Sequence, residues 1–384
     1  MAAIALPRMI RLGGGALAET PEVMAQLEVS RPFVVTDPFL SRSGPVSRLK
    51  QILAAAGIEC IVYDQAVSDP TEASVAAALA ALDADRDCVI GFGGGSPIDT
   101  AKAVAVLARR GGRMSALKVP HVQDAPGLPI LAIPTTAGTG SEATRFTIVT
   151  DDETDEKMLC AGAAYMPTAA IVDYELTLTK PRRLTADTGI DSLTHAIEAY
   201  VSRKANPFSD GMALAAMRAI WPNIRTACDQ PDNRLAREAM MAGALQAGIA
   251  FSNASVALVH GMSRPIGAHF HVPHGLSNAM LLPLVTAFSA AAALPRYATC
   301  ARAMGIAQEQ EGDQSAVARM IDGLEQLNAD LHVPTPKAYG IDEGVWTRLT
   351  PRMAEQALAS GSPGNNPYVP TAAEIEILYA RAWA

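Results

Sequence analysis

Asp191 and His195 stand four residues apart within Thr188 to Arg203, where apolar residues recur at helical spacing, so both side chains project from one face. Four of the seven histidines fall between His260 and His274, in HGMSRPIGAHFHVPH, and His274 is held between Pro273 and Gly275. Imidazole nitrogens joined by one carboxylate are the donor set of a borderline divalent cation such as Fe2+ or Zn2+. A lone histidine on an apolar helix is more often a hydrogen-bonded core residue, and His121 and His332 are read that way. For Asp191 and His195, with further imidazoles in the chain, metal binding is the reading put first. His269 and His271, at alternate positions beside His274, face either solvent or a cleft and are not assigned as ligands.

A second kind of chemistry is suggested earlier in the chain. The apolar run Cys88 to Phe92 leads into Gly93, Gly94, Gly95, Ser96 and Pro97, followed by a helical stretch from Asp99 to Arg109. A glycine turn feeding a helix start aims bare backbone N–H groups and the positive end of the helix dipole at an anion. The spacing is not G-x-G-x-x-G, so the cluster on its own reads equally as a tight turn. A polar loop, Pro134 to Glu142 (PTTAGTGSE), follows the next apolar run with several hydroxyls and two glycines. Two loops leaving neighbouring strands line one crevice, where open α/β sheets bind ligands. Asp37, just past Pro32 to Thr36, is placed either to accept from a ribose diol or simply to start a turn.

These residues need elements to hold them. Up to about residue 178, β-branched runs (Pro32 to Thr36, Cys60 to Tyr63, Cys88 to Phe92, Pro129 to Ile133) alternate with Ala/Leu-rich helical stretches, the pattern of a parallel sheet covered by helices. From Leu184 onward such runs vanish, and helices are expected over Asp187 to Arg203, Asp210 to Thr226, Leu235 to Ala250 and Ala291 to Met304. Pro181 and the arginines beside it interrupt both patterns, giving an α/β domain over 1–180 and an all-helical domain over 181–384. Gly361 to Pro370 reads as an exposed loop.

At 384 residues the chain is long enough for two cores. A net charge of −8 without any basic run argues against a nucleic-acid or anionic-membrane partner and for a small molecule. Five scattered cysteines, with no C-x-x-C pair, suggest neither disulfides nor a thiolate zinc site, and make a reducing cytoplasm the simplest compartment. No export signal is read at the N-terminus, and no apolar run of about 18 residues suited to a membrane span.

Taken together, GGGSPIDTAKA (Gly93 to Ala103), PTTAGTGSEAT (Pro134 to Thr144), GIDSLTHAIEAYVS (Gly189 to Ser202) and VHGMSRPIGAHFHVPHGLSNAMLLP (Val259 to Pro283) resemble the iron-containing (group III) alcohol dehydrogenase family, in order and over nearly the whole chain. The resemblance implies an N-terminal dinucleotide-binding α/β domain and an all-α C-terminal domain, the dehydroquinate synthase-like architecture, with the active site in the cleft between them. It implies metal ligation by Asp191, His195, His260 and His274, with Fe2+ as the ion and Zn2+ as the alternative. It places Asp69, Gly94, Gly95, Ser96, Asp99, Thr135, Thr136, Ser141, Thr144, Phe146, Lys157 and Leu176 against the cofactor, and makes Asp37 the acidic residue that favours NAD over NADP. The activity implied is hydride exchange between an alcohol or aldehyde and nicotinamide, the cation lowering the hydroxyl's pKa, in a cytoplasmic homodimer or larger homo-oligomer.

Phe251 and Arg264 are carried as substrate contacts. Four residues after His260 relatives commonly have a further histidine, whereas this chain has Arg264, which cannot relay a proton at neutral pH. Arg264 reads either as a recogniser of an anionic substrate group, such as a carboxylate or a semialdehyde acid, or as the partner of a neighbouring Asp or Glu. Zinc glycerol dehydrogenases share the two-domain arrangement. Maleylacetate reductase, the main alternative, lacks the metal ligands. A dehydroquinate synthase-like lyase would need a basic cluster for a phosphate, and none stands beside the ligands.

Overall fold

A computed structural model describes residues 3–383. The chain forms two compact units, one Ala5–Thr179, the other the chain from Lys180 onward together with residues 3 and 4.

In the first unit, six parallel strands lie in the order β1 (Met9–Leu12), β8 (Ala169–Val172), β5 (Ile130–Pro134), β4 (Cys88–Gly93), β2 (Pro32–Val35) and β3 (Ile61–Tyr63). The helices are α1 (Thr20–Gln26), α2 (Pro38–Arg42), α3 (Pro45–Ala55), α4 (Glu72–Ala80) and α5 (Gly95–Arg110). All six residues of the central β4 are buried, as expected of a parallel strand covered on both faces. Alternate residues serve opposite layers: Phe33, Val35 and Val89 belong to one core, Val34, Ile90 and Phe92 to the other. An antiparallel hairpin, β6 (Phe146–Thr150) with β7 (Lys157–Ala161), buries only alternate residues, which marks one covered face. Neither β1, β8 nor the hairpin is among the strands expected from sequence.

The second unit is helical: α6 (Arg182–Val201), α7 (Pro207–Ile220), α8 (Ile224–Asp229), α9 (Arg234–Ala254), α10 (Leu258–Phe270), α11 (His274–Ser289), α12 (Leu294–Ala303), α13 (Asp313–Asp330), α14 (Pro336–Tyr339), α15 (Glu343–Ala359) and α16 (Ala372–Ala382). From Thr185 to Val201 every residue of α6 except Thr188 is buried, so this helix is the axis of the unit, packed by α7, α9 and α11. Three expectations need correction. The single helix expected over Asp210 to Thr226 is two, because Pro222 cannot continue α7 and the chain restarts at Ile224. The segment Gly361 to Pro370 is not an exposed loop: Ser362, Pro363, Asn365 and Asn366 are buried, and the Asn365 amide donates to Ser255 Oγ at 3.0 Å and to the Val256 carbonyl at 3.1 Å. The stretch His274–Ala303 is long and apolar enough by composition to cross a membrane, although most of its apolar window is buried among the other helices.

Candidate metal centre

Asp191, His195 and Glu198 form one stripe on α6, at positions i, i+4 and i+7, and all three are buried. Against this stripe lie His260, in the first turn of α10, and His274, the first residue of α11. The Asp191 carboxylate oxygen stands 3.5 Å from His260 Nε2, 3.7 Å from His274 Nε2 and 3.9 Å from His195 Nε2. One donor atom from each of the four residues lies within 4.8 Å of all the others. The rings are stacked, His195 between Phe251 at 4.2 Å and His260 at 4.5 Å between centroids.

Glu198 explains how His260 is held. Its Oε2 accepts from His260 Nδ1 at 2.6 Å and from Ala257 N at 2.9 Å, and its Oε1 accepts from Val259 N at 2.6 Å. No local side chain caps α10. A carboxylate from α6 therefore satisfies two of the orphan amides at its start and sits favourably on the dipole. The same carboxylate places the proton on Nδ1 and leaves the Nε2 lone pair turned toward Asp191. Burial works against the protonated form of His260, but the adjacent Glu198 and Asp191 outweigh it and raise its pKa. Burial likewise works against the Asp191 carboxylate, yet His195, His274 and His260 together hold it well below the usual carboxylate range.

Gly275 sets how closely α11 approaches: a Cβ there would lie 2.4 Å from the Asp187 carbonyl oxygen of α6. One turn further along α11, Asn278 Nδ2 donates to Asp191 Oδ1 at 2.7 Å and lies 3.1 and 3.3 Å from the Nε2 atoms of His260 and His274. Three acceptor atoms thus converge on one electropositive group. That convergence, with a set of one oxygen and three nitrogens of which only His274 is not buried, fits a divalent cation. Glu198 and Asn278 are not named from sequence. Their only signal there is spacing, seven residues after Asp191 and four after His274.

Of the other histidines, His269 Nε2 donates to Gln356 Oε1 on α15 at 2.7 Å, and His271 ends α10 with φ +54°. His121 lies 3.4 Å from Gln123 Oε1, and His332 adopts φ +54°. None of these four belongs to the cluster.

In the first unit, Gly94 caps α5 without a side-chain hydrogen bond, and Gly95 and Ser96 form its first turn. A Cβ on Gly95 would meet Thr139 at 3.0 Å, and one on Gly94 would meet Thr136 at 3.6 Å, so the glycine turn and the polar loop after β5 lie side by side. Thr36 and Thr135 follow β2 and β5, the strands flanking β4, and the hydroxyl of each is buried with no partner among the described residues. Bare amides and unsatisfied hydroxyls at the carboxyl edge of a parallel sheet are the surroundings of a nucleotide phosphate and ribose. Asp37 Oδ1 accepts from Leu40 N at 2.9 Å and caps α2, which is the turn-starting role. Asp69, with φ +53°, pairs with Lys157 at 3.0 Å. Leu176 is buried.

Asp99, Ser141, Thr144 and Phe146 are drawn into a network around Lys102, a residue not singled out from sequence. Lys102 Nζ donates to the Thr144 carbonyl and hydroxyl, each at 3.0 Å, and to the Phe146 carbonyl at 2.8 Å. Asp99 accepts from Ser141 Oγ at 2.6 Å and Ile148 N at 3.0 Å. Burial lowers the Lys102 pKa to about 8 and raises that of nearby Glu142 to about 7. The network ties α5, the loop after β5 and the β6 hairpin together.

A parallel α/β unit followed by an all-helical unit with one carboxylate and three imidazoles drawn together is the build of the metal-dependent alcohol dehydrogenase class. Residues 7–174 match the model of the iron-containing alcohol dehydrogenases and residues 185–383 that of the C-terminal part of the same family, and the chain belongs to that family. It is 37% identical to long-chain-alcohol dehydrogenase 1 of Geobacillus thermodenitrificans, over 100% of this chain and 97% of that one. It is 33% identical to the NAD-dependent methanol dehydrogenase of Bacillus methanolicus, over 96% and 97%. Among solved structures, a 1,3-propanediol oxidoreductase matches with a TM-score of 0.95 at 33% identity, covering 100% of both chains. The chain is an oxidoreductase acting on the CH–OH group of alcohols.

Proposed function

We propose that this dehydrogenase works with Fe2+, Zn2+ being the alternative ion, held by Asp191 Oδ1 and by imidazole nitrogens of His195, His260 and His274. The observation that carries the proposal is the convergence within 4.8 Å of four donor atoms, three of them on the buried residues Asp191, His195 and His260. A divalent cation bound there supplies a Lewis acid that polarises the substrate's C–O oxygen and lowers the pKa of its hydroxyl. The residues of the chain do the rest. Glu198 keeps His260 in the tautomer with Nε2 free, Phe251 stacks on His195, and the burial of Asp191, His195 and His260 excludes bulk water from three of the four donors.

The acceptor or donor of hydride is NAD, bound by a domain spanning 1–180, with the catalytic domain spanning 181–384. Gly94, Gly95 and Ser96 take the pyrophosphate on the α5 N-terminus. Thr135, Thr136, Phe146, Lys157 and Leu176 line the remaining cofactor. Asp99, Ser141 and Thr144 support it through the Lys102 network. Asp37 spends only Oδ1 on capping α2 and keeps Oδ2 for a ribose hydroxyl, where it would repel the 2′-phosphate of NADP. Asp69 orders Lys157. The substrate is a small alcohol or aldehyde, and the working form is a cytoplasmic homodimer or larger homo-oligomer.

Elemental analysis of anaerobically purified protein, with NADH formation from short alcohols before and after chelation, tests this. About one metal per chain, with activity lost to chelator and restored by Fe2+ or Zn2+, is expected. A metal-free protein that stays active would transfer the chain to the maleylacetate reductase type and remove the role assigned to the four donors.

A further inference from the structure

We infer that Arg264 is the anion-recognising element of the substrate site, so that the alcohol oxidised carries a carboxylate or similar anion a few carbons from its hydroxyl. The inference takes the metal-dependent dehydrogenase reading of the same site as given.

On a helix of 3.6 residues per turn, Arg264 lies about 40° around α10 from His260, whereas His269 lies about half a turn away. His269 reaches Gln356 on α15, so the α15 side of the helix is identified, and Arg264 is on the other side, with the donor atoms. The next positions on that face are Gly267 and Ala268, too small to crowd a guanidinium.

Arg264 is half-buried and has no hydrogen bond or ion pair among the described residues. The paired-arginine reading thereby loses its partner. The acidic group whose charge Arg264 feels is Glu198, and both Glu198 oxygens are already taken by Ala257 N, Val259 N and His260 Nδ1. A guanidinium presents five N–H donors and stays charged, so leaving it shielded without an acceptor is costly unless a ligand supplies one. Formal charge points the same way. With a divalent cation in place, the cation, Asp191, Glu198 and Arg264 sum to one positive charge, which an anionic substrate neutralises. The planar fork of arginine matches a carboxylate bidentately.

The experiment compares 1-propanol and 1-butanol with 3-hydroxypropionate and 4-hydroxybutyrate as substrates of metal-loaded wild type, Arg264→Gln and Arg264→Lys. The loss of one charged hydrogen-bonding group corresponds to about tenfold to hundredfold. Wild type is expected to prefer the hydroxy acid of each chain length. The ratio of kcat/KM for acid over alcohol should fall by about that factor in Arg264→Gln and by less in Arg264→Lys, with the KM for NAD+ unmoved. Butyrate should inhibit wild type competitively against 1-butanol and lose that inhibition in Arg264→Gln, a readout that does not need the variant to turn over acids. Equal loss on acids and alcohols, or a raised KM for NAD+ with the ratio unchanged, overturns the inference. Wild type that loads metal yet forms no NADH from any of the four substrates would instead sink the dehydrogenase reading on which it rests.

Discussion

At the scale of single residues, the centre depends on groups that touch no substrate. Glu198 receives three hydrogen bonds in a buried place, and each receiving oxygen is committed. In Glu198→Gln the single amide oxygen can serve Ala257 N and His260 Nδ1, but the NH2 then faces the Val259 amide donor, leaving a buried N–H unsatisfied. We expect a stability loss of about 1–3 kcal/mol and metal affinity weakened about tenfold to hundredfold, read by competing the apo-protein against a chromophoric chelator. Affinity equal to wild type would show that Glu198 only caps α10. Asp191 and His195 are legible in the sequence because both lie on one helix at a spacing that aligns them. Glu198 shares the stripe, but its partner His260 is 62 positions away and no local pattern connects them.

At the scale of elements, the approach of α11 to α6 places His274 beside Asp191. Gly275 permits it, since a Cβ would press on the Asp187 carbonyl. Gly275→Ala should therefore cost about 1–3 kcal/mol and weaken metal binding. Gly211→Ala on α7, where a Cβ meets nothing within 4 Å, should be neutral or raise Tm slightly through helix propensity. Thermal unfolding of the pair separates the two effects, and equal Tm shifts would sink the close-packing account. The helices α10 and α11 are not among the segments expected from sequence. Each carries an interior proline, Pro265 or Pro283, and α10 takes its cap from α6. The short strands β1 and β8 have only four residues each, and they pair across the whole first unit.

At the scale of the whole molecule, donors from α6, α10 and α11 converge, so a bound cation cross-links three helices. Zn2+ at a hundred times its Kd should stabilise the folded protein by about 2.7 kcal/mol, which for a unit of this size moves Tm by about 5–10 °C. Calorimetry before and after chelation reads this directly, and an unmoved transition would mean the four donors hold no ion. The α/β-then-helical order, the Asp191–His195 pair and the glycine turn are legible along the chain, because each rests on periodicity or adjacency within one element. That Glu198 orients His260, that Asn278 joins the donors, that Lys102 ties three segments together, and that Arg264 has no acidic partner among the described residues emerge from the folded arrangement alone. These depend on distances between elements, set by packing rather than by spacing along the chain.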